Sequence, residues 1–133
     1  SFPAAHYQLT DNLGRPDCLS VLIQWKNKSL FFWGDGIAYK GQNDLLSMFN
    51  FDYFFAPING RDNFRESKGI IGNITENELA NISNNLNIKY IIPNHYDMFN
   101  NNTGSVKLFQ KEIKKANSEQ SLIIMKHGDK IEL

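Results

Sequence analysis

Two apolar runs joined by a capped helix constrain this chain more than any other feature. Phe51 to Ile58 reads as a buried strand, with Asp52 at its head and Pro57 near its tail. Lys89 to Ile92 reads as a second, short strand. Between them, Thr75-Glu76-Asn77-Glu78 matches a capping box, in which the Thr hydroxyl accepts from the N3 amide and Glu78 reaches back. Leu79, Ile82 and Leu86 follow at helical spacing and predict a helix over 76–86. A strand–helix–strand succession is a crossover, so it predicts a parallel pair. Pro93 is expected to end the second strand, because proline has no N–H to give to a sheet ladder. His95, Tyr96 and Asp97 come directly after. Ligands of an open α/β sheet bind outside the carboxyl ends of its strands. His95 is therefore a candidate site residue. A histidine in a surface turn is the alternative that these residues leave open.

The flanking segments extend the same layer. Phe2 to Tyr7 is read as a strand or strand end running into His6, and the polar stretch from Gln8 to Asp17 as a loop. Leu19 to Trp25 and Leu30 to Trp33 surround a polar link and predict a hairpin. The second run stops at Gly34-Asp35-Gly36, where a carboxylate sits on open backbone. A short helix is expected within Gly41 to Asn50, and a loop from Asn59 to Gly69. Val106, Phe109 and Ile113 predict an amphipathic helix over 105–116. Ser121 to Met125 and Lys130 to Leu133 read as closing strands around a turn at His127.

Composition limits the function classes. With 133 residues, the chain can hold one domain with a real core. Fourteen Lys and Arg balance fourteen Asp and Glu, which argues against a nucleic-acid surface. No apolar run is long enough to span a bilayer, and the amino end lacks the pattern of a signal peptide. The single cysteine, Cys18, cannot form an internal disulfide, so a reducing, cytoplasmic setting is expected. Triplets such as Asn73-Ile74-Thr75 then reflect an asparagine-rich composition rather than glycosylation. The first residue is not Met, which suggests a piece of a longer gene product.

His6, Asp35 and His95 share a placement, each at or just beyond the end of an apolar run. A divalent metal takes such N and O donors when rigid elements bring them to one cavity. Two histidines and a carboxylate would leave positions for water, which a metal turns into a nucleophile near neutral pH. Their separations form no local motif, and unrelated surface residues remain the other reading of the residues alone.

Five blocks occur in order: Ala4-Ala5-His6, Trp33-Gly34-Asp35-Gly36, Ala56-Pro57-Ile58-Asn59-Gly60, Gly72-Asn73-Ile74-Thr75, and Ile92-Pro93-Asn94-His95-Tyr96-Asp97-Met98-Phe99. This order resembles the carboxyl-terminal half of a metallo-β-lactamase-fold hydrolase, in particular the L-ascorbate-6-phosphate lactonase branch. The resemblance implies an α/β fold, half of an αββα sandwich, with a mixed sheet and helices on one face. It implies that residues 1–133 form that half. His6, Asp35 and His95 would be metal ligands, with Asp35 bridging two ions and central to catalysis. The cofactor would be Mn²⁺ or Zn²⁺, and the reaction attack of metal-bound hydroxide on a lactone or ester. The signature His-x-His-x-Asp-His of the other half is absent from the sequence. The metal site is thus expected to be incomplete here, and the chain alone inactive. An uncovered sheet face should pair with the missing half or with a second copy.

Other residues carry weaker expectations. Arg61, Arg65 and Lys68 could hold a phosphate, as in a phosphorylated sugar lactone, or form a solvated charged loop. Asn73 and Tyr96 are candidates for substrate binding, and Asp97 for orienting His95. Trp25 and Trp33 are expected in the core. Alternatives to the hydrolase are a non-catalytic interaction module of the same fold and a metallo-phosphodiesterase.

Overall fold

The structure is a computed structural model and describes residues 1–132. Six strands form one mixed sheet in sequence order: β1 (Phe2–Ala4), β2 (Cys18–Trp25), β3 (Lys28–Phe32), β4 (Asn50–Pro57), β5 (Asn87–Asn94) and β6 (Ser121–Leu122). The hairpin β2–β3 is antiparallel, with Leu22 opposite Phe31. β1 is antiparallel to β2, whereas β3, β4, β5 and β6 are mutually parallel. β1 therefore runs in the same direction as the last four strands. The sheet thus has one edge at which the chain leaves β1, β3, β4 and β5.

The parallel β4–β5 pair is joined through α3 (Glu76–Ser83), as the sequence predicts. Both halves of the capping box form: Thr75 Oγ1 accepts from the Glu78 amide at 3.2 Å, and Glu78 Oε2 accepts from the Thr75 amide at 2.8 Å. The helix ends at Ser83 rather than at 86, and a turn through Asn84 and Asn85 carries Leu86 back against the core. The second predicted helix is α4 (Val106–Ala116), capped by the Ser105 hydroxyl. The remaining helices are α1 (Gln42–Leu46) and α2 (Asn63–Ser67).

Several expectations need correction. Pro93 lies inside β5, paired with Ala56. Residues of a strand present their backbone polar groups to alternate sides. The Ile91 carbonyl accepts from the Ile123 amide on the β6 side, so Pro93 faces that side too, beyond the end of β6. Its missing N–H costs no bond to β4, and the next carbonyl, of Asn94, accepts from Ile58. The segment 59–69 is not all loop, because Asp62 Oδ1 takes the Arg65 amide and caps α2. The strand expected over 121–125 is only Ser121–Leu122. Residues 130–132 are not strand, and Leu133 lies outside the described residues.

The buried apolar residues of α1, α3 and α4 (Leu46, Leu79, Ala80, Phe109 and Ile113) all pack on one face of the sheet. They meet Phe31, Phe54, Ile91 and Trp33 there. Phe31 stacks on Phe54 with ring centres 4.7 Å apart and touches Phe51 at 5.2 Å. The opposite face carries Leu30, Tyr53 and Ile92, partly covered by Ile123, Met125 and Ile131 of the tail. Toward β2 that face is open: Leu19, Val21, Ile23 and Trp25 are 41–53% exposed. Trp25 is thus not a core residue, unlike Trp33. No helix among the described residues is long and apolar enough to cross a membrane.

Candidate functional site

Parallel strands bring distant residues to one edge of the sheet. Asp35 leaves β3 in the turn Gly34-Asp35-Gly36, and His95 is the first residue after β5. Gly36 has a φ of 152°, and a Cβ there would lie 2.6 Å from the Ala5 carbonyl oxygen. The turn can therefore sit directly on the chain leaving β1, where Ile37 donates its amide to the Ala5 oxygen at 2.7 Å. His95 has a φ of 57°, in the left-handed region that a non-glycine residue enters at a cost of roughly 1–3 kcal/mol. Strain of that kind clusters at functional sites. The bend turns the imidazole back toward β3: His95 Nε2 lies 3.2 Å from Asp35 Oδ1. Both side chains remain open to solvent, 29% and 46% exposed.

Asn73 braces this pair from below. It is almost fully buried, and its Oδ1 accepts the Gly36 amide at 2.6 Å. Its Nδ2 donates to Asn59 Oδ1 at 2.9 Å and lies 3.4 Å from Asp35 Oδ1. The sequence suggests Asn73 as a substrate contact; its amide is occupied by these protein groups. Asp97, expected as an orienting carboxylate for His95, is in the exposed turn, and the carboxylate facing the ring is Asp35.

His6 reaches the same edge from β1 and borders a cavity of about 280 Å³ with Tyr7, Ile37, Arg61 and Gly72. Among the described residues, no three His, Cys, Asp or Glu side chains are grouped so as to hold a metal ion. The structure thus brings Asp35 and His95 together and leaves His6 apart from them. The fit to a divalent cation is that of a partial donor set. A carboxylate oxygen and an imidazole nitrogen 3.2 Å apart stand at hydrogen-bonding distance. That is also near the separation of two donors sharing one small ion with bonds of about 2.0–2.2 Å.

The loop cations are already paired. Arg61 makes a two-pronged bond to Glu78, at 2.7 and 2.6 Å. Burial pushes the Glu78 carboxyl up, but the bonds from Arg61 and from the Thr75 backbone outweigh it and hold the group below the usual carboxylate range. The same bond raises Arg61 further. Arg65 binds Asp62, the Asn59 carbonyl and Asn102 Oδ1. Lys68 lies over the Phe64 ring. The Tyr96 hydroxyl donates to the Met125 carbonyl, and burial, then the nearby Asp97 and Asp129 charges, raise its pKa.

Comparison with known proteins places the fold. No protein-family model matches the chain, and no curated protein matches its sequence. Solved structures do match. Igni18, a metallo hydrolase from the archaeon Ignicoccus hospitalis, is similar over 96% of this chain and 48% of its own, with a TM-score of 0.70 and 17% identity. The metallo-β-lactamase fold protein YhfI from Bacillus subtilis is similar over 84% of this chain and 43% of its own, with a TM-score of 0.63 and 18% identity. The chain is a mixed α/β layer matching the metallo-β-lactamase fold. It spans about half the length of the structures it matches.

Proposed function

We propose that the chain supplies part of a divalent-metal centre of a hydrolase acting on a lactone or other ester. The observation that carries this reading is the Asp35–His95 pair, 3.2 Å apart at the common end of parallel strands, with His95 held in left-handed backbone. A bound divalent cation polarises a carbonyl and makes water nucleophilic near neutral pH. Of the chain's own residues, His95 offers that ion one nitrogen, and Asp35 offers two oxygens, which suits it to span a pair of ions. His6, at the neighbouring strand end, is the candidate third donor. Nitrogen and oxygen donors without thiolate suit Mn²⁺ and Zn²⁺. Arg61 borders the cavity beside His6 but is bound to Glu78, so the substrate class rests on the lactone or ester group rather than on a phosphate.

The open sheet face belongs to the same proposal. Its occupant is the second sheet of a sandwich, from the remaining half of the domain. The exposed apolar row on β2 supports this, as does a match to only 48% and 43% of the similar structures. Co-purification with that half, expressed separately, should be lost in Ile23→Lys. Unchanged co-purification, or a homodimer that buries this face, would overturn the assignment.

The test of function is metal content and turnover of lactones and esters, a phosphorylated sugar lactone included, by the gene product in which this chain occurs. Asp35→Asn keeps the shape and removes the charge, so it should lower both without unfolding the protein. His95→Ala should remove one ion more than the other. Unchanged metal content and turnover in Asp35→Asn would contradict the proposal.

A further inference from the structure

Four side chains, Arg65 on α2 and Asn59, Asn73 and Asn102 on separate loops, form a continuous chain of hydrogen bonds beneath the Asp35–His95 pair. Arg65 Nη1 donates to Asn102 Oδ1 at 2.8 Å. Asn59 Nδ2 donates to the same oxygen at 2.9 Å. Asn73 Nδ2 donates to Asn59 Oδ1 at 2.9 Å. Asn73 Oδ1 then accepts the Gly36 amide at 2.6 Å, beside Asp35. Asn59 and Asn73 are 2% and 3% exposed, so neither can exchange these partners for water at low cost.

The chemistry of the series fixes its direction. Arg65 can only donate, so Asn102 must turn its oxygen toward it. That oxygen also draws the Asn59 NH₂, which leaves Asn59 Oδ1 for Asn73. Asn73 must then point its NH₂ toward Asn59 and Asp35 and its oxygen toward Gly36. Each amide has one orientation that satisfies its neighbours, and the donor-only groups at the two ends, the Arg65 guanidinium and the Gly36 amide, agree on it. Close packing supports the arrangement. A Cβ on Gly104 would lie 2.2 Å from the Ile58 oxygen, and one on Gly72 would lie 2.2 Å from the Gly60 oxygen. The loops carrying Asn102 and Asn73 are therefore pressed onto the segment that carries Asn59.

We infer that Asn73 is a positioning residue for the Asp35 turn, and that Arg65, Asn102 and Asn59 form a relay that locks its carboxamide in the working orientation. For metal binding the inference rests on the function proposed above; for the orientation of Gly36 and Asn73 it does not. Asn102 is the place to test it, because its side-chain bonds go to Arg65 and Asn59 and not to Asp35 or His95. Asn102→Ala removes the shared acceptor. Asn102→Asp keeps an oxygen for both donors.

The experiment is NMR of the labelled chain, following the Gly36 amide and the Asn73 side-chain NH₂, together with titration by Zn²⁺ alone. Asn102→Ala should shift both signals and weaken Zn²⁺ binding about tenfold, the lower end for lost outer-layer support. Asn102→Asp should restore both. Signals in Asn102→Ala that stay at their wild-type positions would overturn the relay, as would Asn102→Asp behaving like Asn102→Ala. Should the signals respond as expected while neither the chain nor the gene product in which it occurs binds Zn²⁺, the metal reading fails and the relay stands. Arg65→Met, which removes the outside donor, is the second variant, and it should reproduce the Asn102→Ala shifts.

Discussion

The two faces of this sheet come from the same strands and differ in what meets them. On one face Phe31, Phe54 and Ile91 are fully buried under α1, α3 and α4. On the other, Leu30, Tyr53 and Ile92 are buried under a few tail residues, and the β2 row is left in water. Apolar residues on both sides of a strand are the pattern of a sheet meant to be covered twice. The stability of this chain therefore resides mainly on one face, and the proposed partner belongs on the other. The edge that carries Asp35 and His95, proposed to bind metal, lies at the strand ends common to both faces.

This difference should be largest in unfolding. Phe54→Ala removes a fully buried ring that stacks on Phe31, and should cost about 3–5 kcal/mol in urea melts. Ile23→Thr, on the open face, should stay within about 0.5 kcal/mol for the chain alone. Equal losses at the two positions would mean that the open face is already covered, by self-association for example.

A smaller effect is expected at the cap of α3, on the covered side. Thr75→Ala removes the acceptor for the Glu78 amide and should cost about 1 kcal/mol. Thr75→Ser should recover most of it. A loss as large as that of Phe54→Ala would show that the crossover depends on its cap more than on packing.

The smallest effect concerns pH. Glu78 has a folded pKa below its ordinary value, so its contribution is present above the ordinary carboxylate range and is lost as pH falls through the folded value. Melts of the wild type should weaken on acidification more than those of Glu78→Gln. Parallel curves would assign acid sensitivity to other carboxylates.

The sequence shows the layer well and the site in part, for physical reasons. β4, β5, α3 and α4 carry local signals: apolar runs, a capping box and helical spacing. α2 is five residues, polar but for Phe64, and depends on the Asp62 cap, so its composition looks like loop. Pro93 misleads because the proline itself is visible, while the side it faces is set by pairing with β4 and β6. The strand-end placement of Asp35 and His95 could be read, and the structure brings the two side chains within 3.2 Å. The amide relay could not, since Asn59, Asn73 and Asn102 resemble turn asparagines until the parallel strands bring their loops together. His6 is legible as a candidate donor, and the structure sets it beside Arg61 rather than beside Asp35.

The central claim is that Asp35 and His95 act together on one ion. Long-range ¹⁵N NMR of the histidine rings during Zn²⁺ titration of the gene product in which this chain occurs tests it most directly. The account predicts that His95 Nε2 shifts on binding while His127 does not, and that Asp35→Asn weakens the response by more than the roughly tenfold of a lost outer-layer partner, because a donor to the ion itself loses its charge. A silent His95, or an Asp35→Asn titration that overlays the wild type, would contradict it.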